Sequence, residues 1–345
     1  MRSFTITIVI FLSAYTFAQQ WVVQASGVDT NLRGMSAQDA SFEGKRAVIL
    51  WASGSNGVVL RSIDGGSTWK QLSVPGASDL DFRDVEAFGA RIAYVMSSGD
   101  KNKSRIYKTT DSGATWKLQY SDERPGFFLD ALACDSERHC VALSDPVDGQ
   151  FLVLSTSDGE HWSELPRDRM PAALSGEGGF AGSGTTVAIC GRGNIFFGTG
   201  GGRVARIFHS SDNGHSWKTT ETPIASGNAS SGIFSIACSG KLIVAAGGDY
   251  KEPSVTQRVS IYSNDFGESW KLSESQPGGY RSAVVHGSRR TFVAVGPNGS
   301  DISADGGKHW KTFDHRSFNA VAFLNTSGWA AGPKGTIALL KTHPK

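Results

Sequence analysis

Cysteine and methionine are scarce in this 345-residue chain, with four of each, and charged residues make up 19%, below the usual quarter. No Cys-x-x-Cys occurs and no two histidines stand at ligand spacing, so no metal centre is expected. After the first twenty residues no apolar run is long enough to span a bilayer, so no membrane span is expected. A formal net charge of +2 argues against nucleic acid as a partner. No convincing amphipathic helix is present. That absence also disarms GTGGGR (198–203): a phosphate-binding glycine loop needs a helix behind it, and VARIFHSSD, which follows, reads as a strand. No cofactor is expected.

Glycine, by contrast, is abundant at 42 residues, which suits short strands joined by many turns. The chain opens with Arg2, an apolar stretch and Thr16-Phe17-Ala18, the pattern of a secretory leader over residues 1–18 cut after Ala18. The mature domain would then be residues 19–345, exported to the periplasm or the extracellular space. Export permits disulfides. Cys134 and Cys140 flank DSERH, a candidate hairpin, so a bridge between them is open. Cys190 and Cys238 end two apolar runs and could be buried thiols or a second bridge.

One stretch repeats. SIDGGSTW (62–69) returns as TTDSGATW, SSDNGHSW, SNDFGESW and SADGGKHW, with a shortened TSDGEHW at 156–162. The frame is Ser/Thr-x-Asp-x-Gly-x-x-Trp, built on Asp64, Asp111, Asp158, Asp212, Asp265 and Asp305, with Trp69, Trp116, Trp162, Trp217, Trp270 and Trp310. Successive tryptophans lie 47, 46, 55, 53 and 40 residues apart. Each interval holds four runs of strand character, the unit of a β-propeller blade. Three further runs follow Trp310, and a lone strand, WVVQASG, opens with Trp21, on period 48 residues before Trp69. The expected architecture is an all-β, seven-bladed propeller whose N-terminal strand completes the last blade and removes the open edges. A monomer is expected.

In the repeated frame, Asp can accept bonds from the backbone of its own turn and Gly can take a positive φ. The role is structural, clasping the third and fourth strands of each blade. These residues resemble the Asp-box, or BNR repeat, of sialidases and related propellers. Together with GWAAGPKGTI (328–337) they resemble the photosystem II stability/assembly factor-like family of seven-bladed propellers, over Trp21 to Lys341. The resemblance implies the scaffold and a closed ring. It leaves function open, since enzymes, lectin-like binders and assembly factors all carry the repeat.

The Asp turns occupy one face, so function is expected on the other, where the inter-blade loops and the loops between second and third strands gather. The candidate binding residues there are Arg33, Arg83, Tyr250, Arg281 and Arg316. Carboxylates for catalysis, if any, would be drawn from Asp84, Asp130, Asp145, Glu177 and Asp249. The principal reading is a non-enzymatic scaffold presenting one loop-rich face to a protein or a glycan. The alternative is a glycoside hydrolase with two such carboxylates.

Overall fold

A computed structural model of the chain describes residues 18–343; apart from Ala18, the leader segment lies outside the described residues. Seven four-stranded antiparallel sheets form the blades of a propeller. Six run in chain order from the axis outward. Their innermost strands are Leu32–Phe42, Asp81–Phe88, Leu129–Ser136, Val187–Ile189, Ser231–Ser239 and Ala283–His286, in blades 1 to 6. Blade 7 takes three strands from the C-terminal end, beginning with Ala320–Leu324, and its outermost strand is Ala18–Gln24. That strand pairs with Ile337–His343 over seven residues, Trp21 lying opposite Leu340. The ring closes as the tryptophan period requires. Among the described residues no helix is long and apolar enough to cross a membrane.

The core lies between blades. Each cluster joins two neighbours, as when Trp51 of blade 1 meets Phe82 and Val95 of blade 2. A single blade is a flat sheet that buries its faces only against the next, so the ring is the folding unit.

The repeated turns sit between third and fourth strands and bond as one device. In the first, Ser62 Oγ accepts from Gly66 N at 2.8 Å and donates to Asp64 Oδ1 at 2.7 Å. Thr68 N donates to the same Asp64 oxygen at 2.9 Å, and Thr68 Oγ1 donates to Oδ2 at 2.6 Å. Gly66 takes φ +92°, a conformation costly for other residues. Both carboxylate oxygens are thus engaged within the turn. The residue before each Trp completes the set: Thr115, Ser216 and Ser269 repeat the hydroxyl contact, while His161 and His309 use Nδ1.

Both cysteine pairs are bridged. Cys134–Cys140 ties a hairpin within blade 3, and Cys190–Cys238 joins blade 4 to blade 5.

Candidate functional site: an axial cavity set by one strand position

Six of the seven innermost strands enter the ring through a buried anchor. The anchor's N–H donates to a carbonyl late in the second strand of the preceding blade or just beyond it: Leu32 to Gly332, Ile233 to Thr199, Arg281 to Gly247 and Phe318 to Gly296. Phe82 and Leu129, fully buried, hold the same place in blades 2 and 3. The next residue is thrown toward the axis. In blades 1, 2, 3 and 5 the register slips there, at Leu32/Gly34, Phe82/Asp84, Leu129/Ala131 and Ile233/Ser235. A bulge of this kind re-aims one side chain. The residues so aimed are Arg33, Arg83, Asp130 and Phe234, and the equivalents in blades 6 and 7 are Ser282 and Asn319. All six line a single cavity of about 490 Å³ on the loop-rich face.

Two guanidiniums stand on one side of it. Arg83 Nε donates to Asp81 Oδ2 at 2.8 Å, and Arg33 Nε lies 3.8 Å from the same oxygen. Burial, then the charge of Arg83, lowers the Arg33 pKa. One carboxylate therefore serves two cations, and a positive charge is left over. Asp130 and Asp145 line the same cavity. Asp145 Oδ1 accepts from Gly179 N at 2.8 Å, and burial raises its pKa to about 6. Asp130 is 1% exposed, and no protein donor reaches either of its oxygens among the described residues. Burial, then the neighbouring Asp145, raises its pKa well above the usual carboxylate value, against the opposing charge of Arg83. The remaining wall is aromatic. Phe180 stacks on Phe234 at 3.9 Å, Tyr280 meets Phe234 edge-on at 4.7 Å, and half-exposed Tyr250 stands at the lip.

The axis is not an open tube. Blade 4 has a three-residue innermost strand because the chain before it, residues 178–186, crosses the ring. Its carbonyls at Ala181 and Gly182 accept from Arg83 and Arg33. Ser183 Oγ donates to Ser282 O, Thr185 Oγ1 bonds Ser235 Oγ, and Gly184 bridges to Ala131. Glycine is required where the crossing is tightest: a Cβ on Gly184 would lie 2.0 Å from Asp84 Cγ, at φ +76°. Beside this plug lies Asp84, whose oxygens accept from Val85 N and Leu132 N at 2.8 and 3.0 Å. Burial outweighs those donors and raises Asp84 to about 8. Burial, then Asp84, also lifts Glu86, a residue outside the sequence candidates.

The structure thus gathers Arg33, Arg83, Tyr250, Asp130 and Asp145, and sends the other candidates elsewhere. Glu177 is held by Arg206 and by Leu174 N and Thr199 Oγ1 at 2.8 and 2.6 Å. Asp249 accepts from Asn228 and Lys251 N, both at 2.9 Å. Arg281 is wholly buried on Asp301, and Arg316 pairs with Asp314 at 2.9 Å. The cavity's Phe180, Phe234, Tyr280, Ser282 and Asn319 were outside the candidates too.

The chain's fold is that of known propellers. YCF48 bound to D1 peptide matches with a TM-score of 0.64 at 15% identity, over 94% of this chain and 95% of that one. YCF48 from Cyanidioschyzon merolae gives 0.64 at 16%, over 92% and 98%. Catalytically inactive virginiamycin B lyase from Staphylococcus aureus with quinupristin gives 0.62 at 12%, over 94% and 99%. No family model and no curated protein matches the sequence. The resemblance drawn from the motifs thus holds at the level of structure: the protein is a seven-bladed propeller resembling YCF48.

The buried acids make stability depend on pH. Asp84, Glu86, Asp130 and Asp145 keep protons in the folded protein that an unfolded chain releases near pH ~4. Their contribution is full below that point and is lost as pH rises through the folded values. Asp111, Asp212 and Asp265 act in the opposite sense. Hydroxyl donors hold each at about 2, so their contribution is present above pH ~4 and lost as pH falls toward 2. Thermal denaturation should show Tm falling between about pH 5 and about pH 8, with Asp130→Asn flattening the fall. A level Tm across that window would mean that these carboxyls ionise freely.

Proposed function

We propose that the protein is an exported, non-enzymatic scaffold that captures a protein partner by seating a carboxylate-bearing peptide in the axial cavity. The observation that carries this reading is the shared Asp81. Arg33 and Arg83 lean on one carboxylate oxygen, so a second anion completes the pairing, and guanidinium geometry suits a carboxylate. The aromatic wall supplies apolar area beside it. The YCF48 structure with D1 peptide supports the same reading, as an example of this fold holding a peptide. The repeats read as Asp-boxes, and the role as assembly-factor-like, holding a partner rather than processing it. Export is supported by the leader sequence and by two disulfides, which persist in oxidising compartments.

Short peptide acids and their C-terminal amides, titrated by calorimetry, test this. The acid should bind and the amide should bind at least tenfold more weakly. Arg33→Ala or Arg83→Ala should each weaken the acid by about 10- to 100-fold, the range for a charge-assisted hydrogen bond. Equal binding of acid and amide would defeat the proposal. Glycoside hydrolysis retains one supporting observation, two protonatable acids in one cavity. Turnover of a chromogenic glycoside, abolished by Asp130→Asn, would put that reading in its place.

A further inference from the structure

Asp130 is a buried acid that the fold leaves unanswered. Three other buried acids are answered from within: Glu177 by Arg206, Asp301 by Arg281, Asp84 by two backbone N–H groups. Asp130 receives nothing among the described residues, and its Oδ2 is buried without a partner. An unanswered buried carboxyl costs about 1–3 kcal/mol or more, yet the bulge at Leu129/Ala131 aims it into the cavity rather than away. Replacing it with an apolar residue would relieve that cost, so the placement points to a donor brought by the ligand.

The surroundings narrow what that donor is. Asp145 stands beside Asp130, with one oxygen on Gly179 N and the other without a protein partner among the described residues. No third His, Cys, Asp or Glu joins them as a metal set among the described residues, which leaves a divalent cation short of ligands. The other charged or titratable groups facing the cavity are Arg33 and Arg83, which already lean on Asp81, and Tyr250 and Tyr280 on the aromatic wall. A compact ammonium, with three N–H donors, matches two acids that have lone pairs to spare.

We propose that Asp130 and Asp145 form a second subsite, for a primary ammonium, so that the cavity's ligand carries a carboxylate at the Arg33–Arg83 end and an ammonium at the other. This rests on the carboxylate reading above and specifies the peptide: an acid whose neighbouring residue is lysine, or a free amino acid with a terminal amine. Burial pushes Asp130 toward its protonated form. Seating an ammonium requires the carboxylate, so the Asp130 proton leaves to solvent as the ligand's N–H groups take its place.

The test is calorimetry with ω-amino acids of increasing chain length, each against the alkanoate of equal length. The ω-amino acid should bind tenfold or more tightly at one best length. Its binding should release a proton, seen as an enthalpy that changes with the buffer's ionisation enthalpy, and its affinity should rise with pH. Asp130→Asn should abolish the preference and the proton release, and Asp145→Asn should weaken the preference. Peptide acids with penultimate lysine, compared with norleucine, then tell a protein ligand from a free amino acid. If alkanoates bind and ω-amino acids bind no better, with no proton released, the ammonium subsite falls and the carboxylate reading stands. If neither class binds, both fall. The buffer measurement uses the unaltered protein, so a poorly folding variant does not protect the proposal.

Discussion

Trp21→Ala should cost about 3–5 kcal/mol of unfolding free energy, the range for removing a large buried aromatic side chain. Trp21 is fully buried although it lies on an outermost strand. Its ring packs on Phe318 at 5.3 Å and Phe313 at 6.1 Å, and Nε1 donates to Ser300 Oγ at 3.0 Å. Trp310 does the same one blade earlier, donating to Ser260 Oγ at 3.0 Å. Trp21 is therefore the seventh member of the tryptophan series, reaching from blade 7 to blade 6 as Trp310 reaches from blade 6 to blade 5. Its loss should loosen the joint between the two ends of the chain, where no covalent continuity helps. Val23, on the same strand and 56% exposed, supplies the control: Val23→Ala should stay within about 0.5 kcal/mol. Denaturant titration of both variants reads the difference. A Trp21→Ala loss near that of Val23→Ala would mean that the N-terminal strand does not clasp the ring.

The fold was legible because it is periodic. A tryptophan every 40 to 55 residues, with one strand left over at the N-terminal end and three at the C-terminal end, specifies a closed ring. The plug was not legible, although it left a trace. The longest interval, 55 residues from Trp162 to Trp217, is the one that holds residues 178–186. Glycine-rich sequence reads as a surface loop. Only the approach of Asp84 to Gly184, set by two blades meeting at the axis, shows that these glycines make room inside the ring. The cavity lies between. Five of its residues share one offset, the position after the strand anchor, visible as Leu32-Arg33-Gly34, Phe82-Arg83-Asp84, Leu129-Asp130-Ala131, Ile233-Phe234-Ser235 and Phe318-Asn319-Ala320. A large apolar residue, a variable one and, in most copies, a small one recur in register. Gathering charged residues by loop position alone would not find this; aligning the blades on their anchors does.

Arg281 shows what a shift of one residue does, and Asp301→Ala should expose it with a loss of about 3–5 kcal/mol, the range for breaking one partner of a buried ion pair. In blade 6 the anchor position holds an arginine where other blades hold Leu, Phe or Ile, so the guanidinium goes into the core and Ser282 takes the axial place. Arg281 is fully buried, and Asp301 is its counterion, with Nε to Oδ2 at 2.5 Å. Asn298 Oδ1 accepts from Arg281 at 2.6 Å, and Thr312 Oγ1 and Gly278 N donate to Asp301 at 2.5 and 3.1 Å. Removing the carboxylate strands a charge and two donors in the core. The double variant Arg281→Met with Asp301→Leu should recover a part of the loss, since an apolar pair needs no counterion. Recovery should stop short of the parent because Thr312 and Gly278 still lack an acceptor. If Asp301→Ala costs under about 1 kcal/mol, water reaches the guanidinium and the anchor is not sealed. The two arginine types should then separate by assay: Arg33 and Arg83 substitutions alter carboxylate binding with little change in unfolding, whereas substitutions at the Arg281 pair alter unfolding first. Chemically identical side chains one strand position apart thus serve the ligand in blades 1 and 2 and the fold in blade 6.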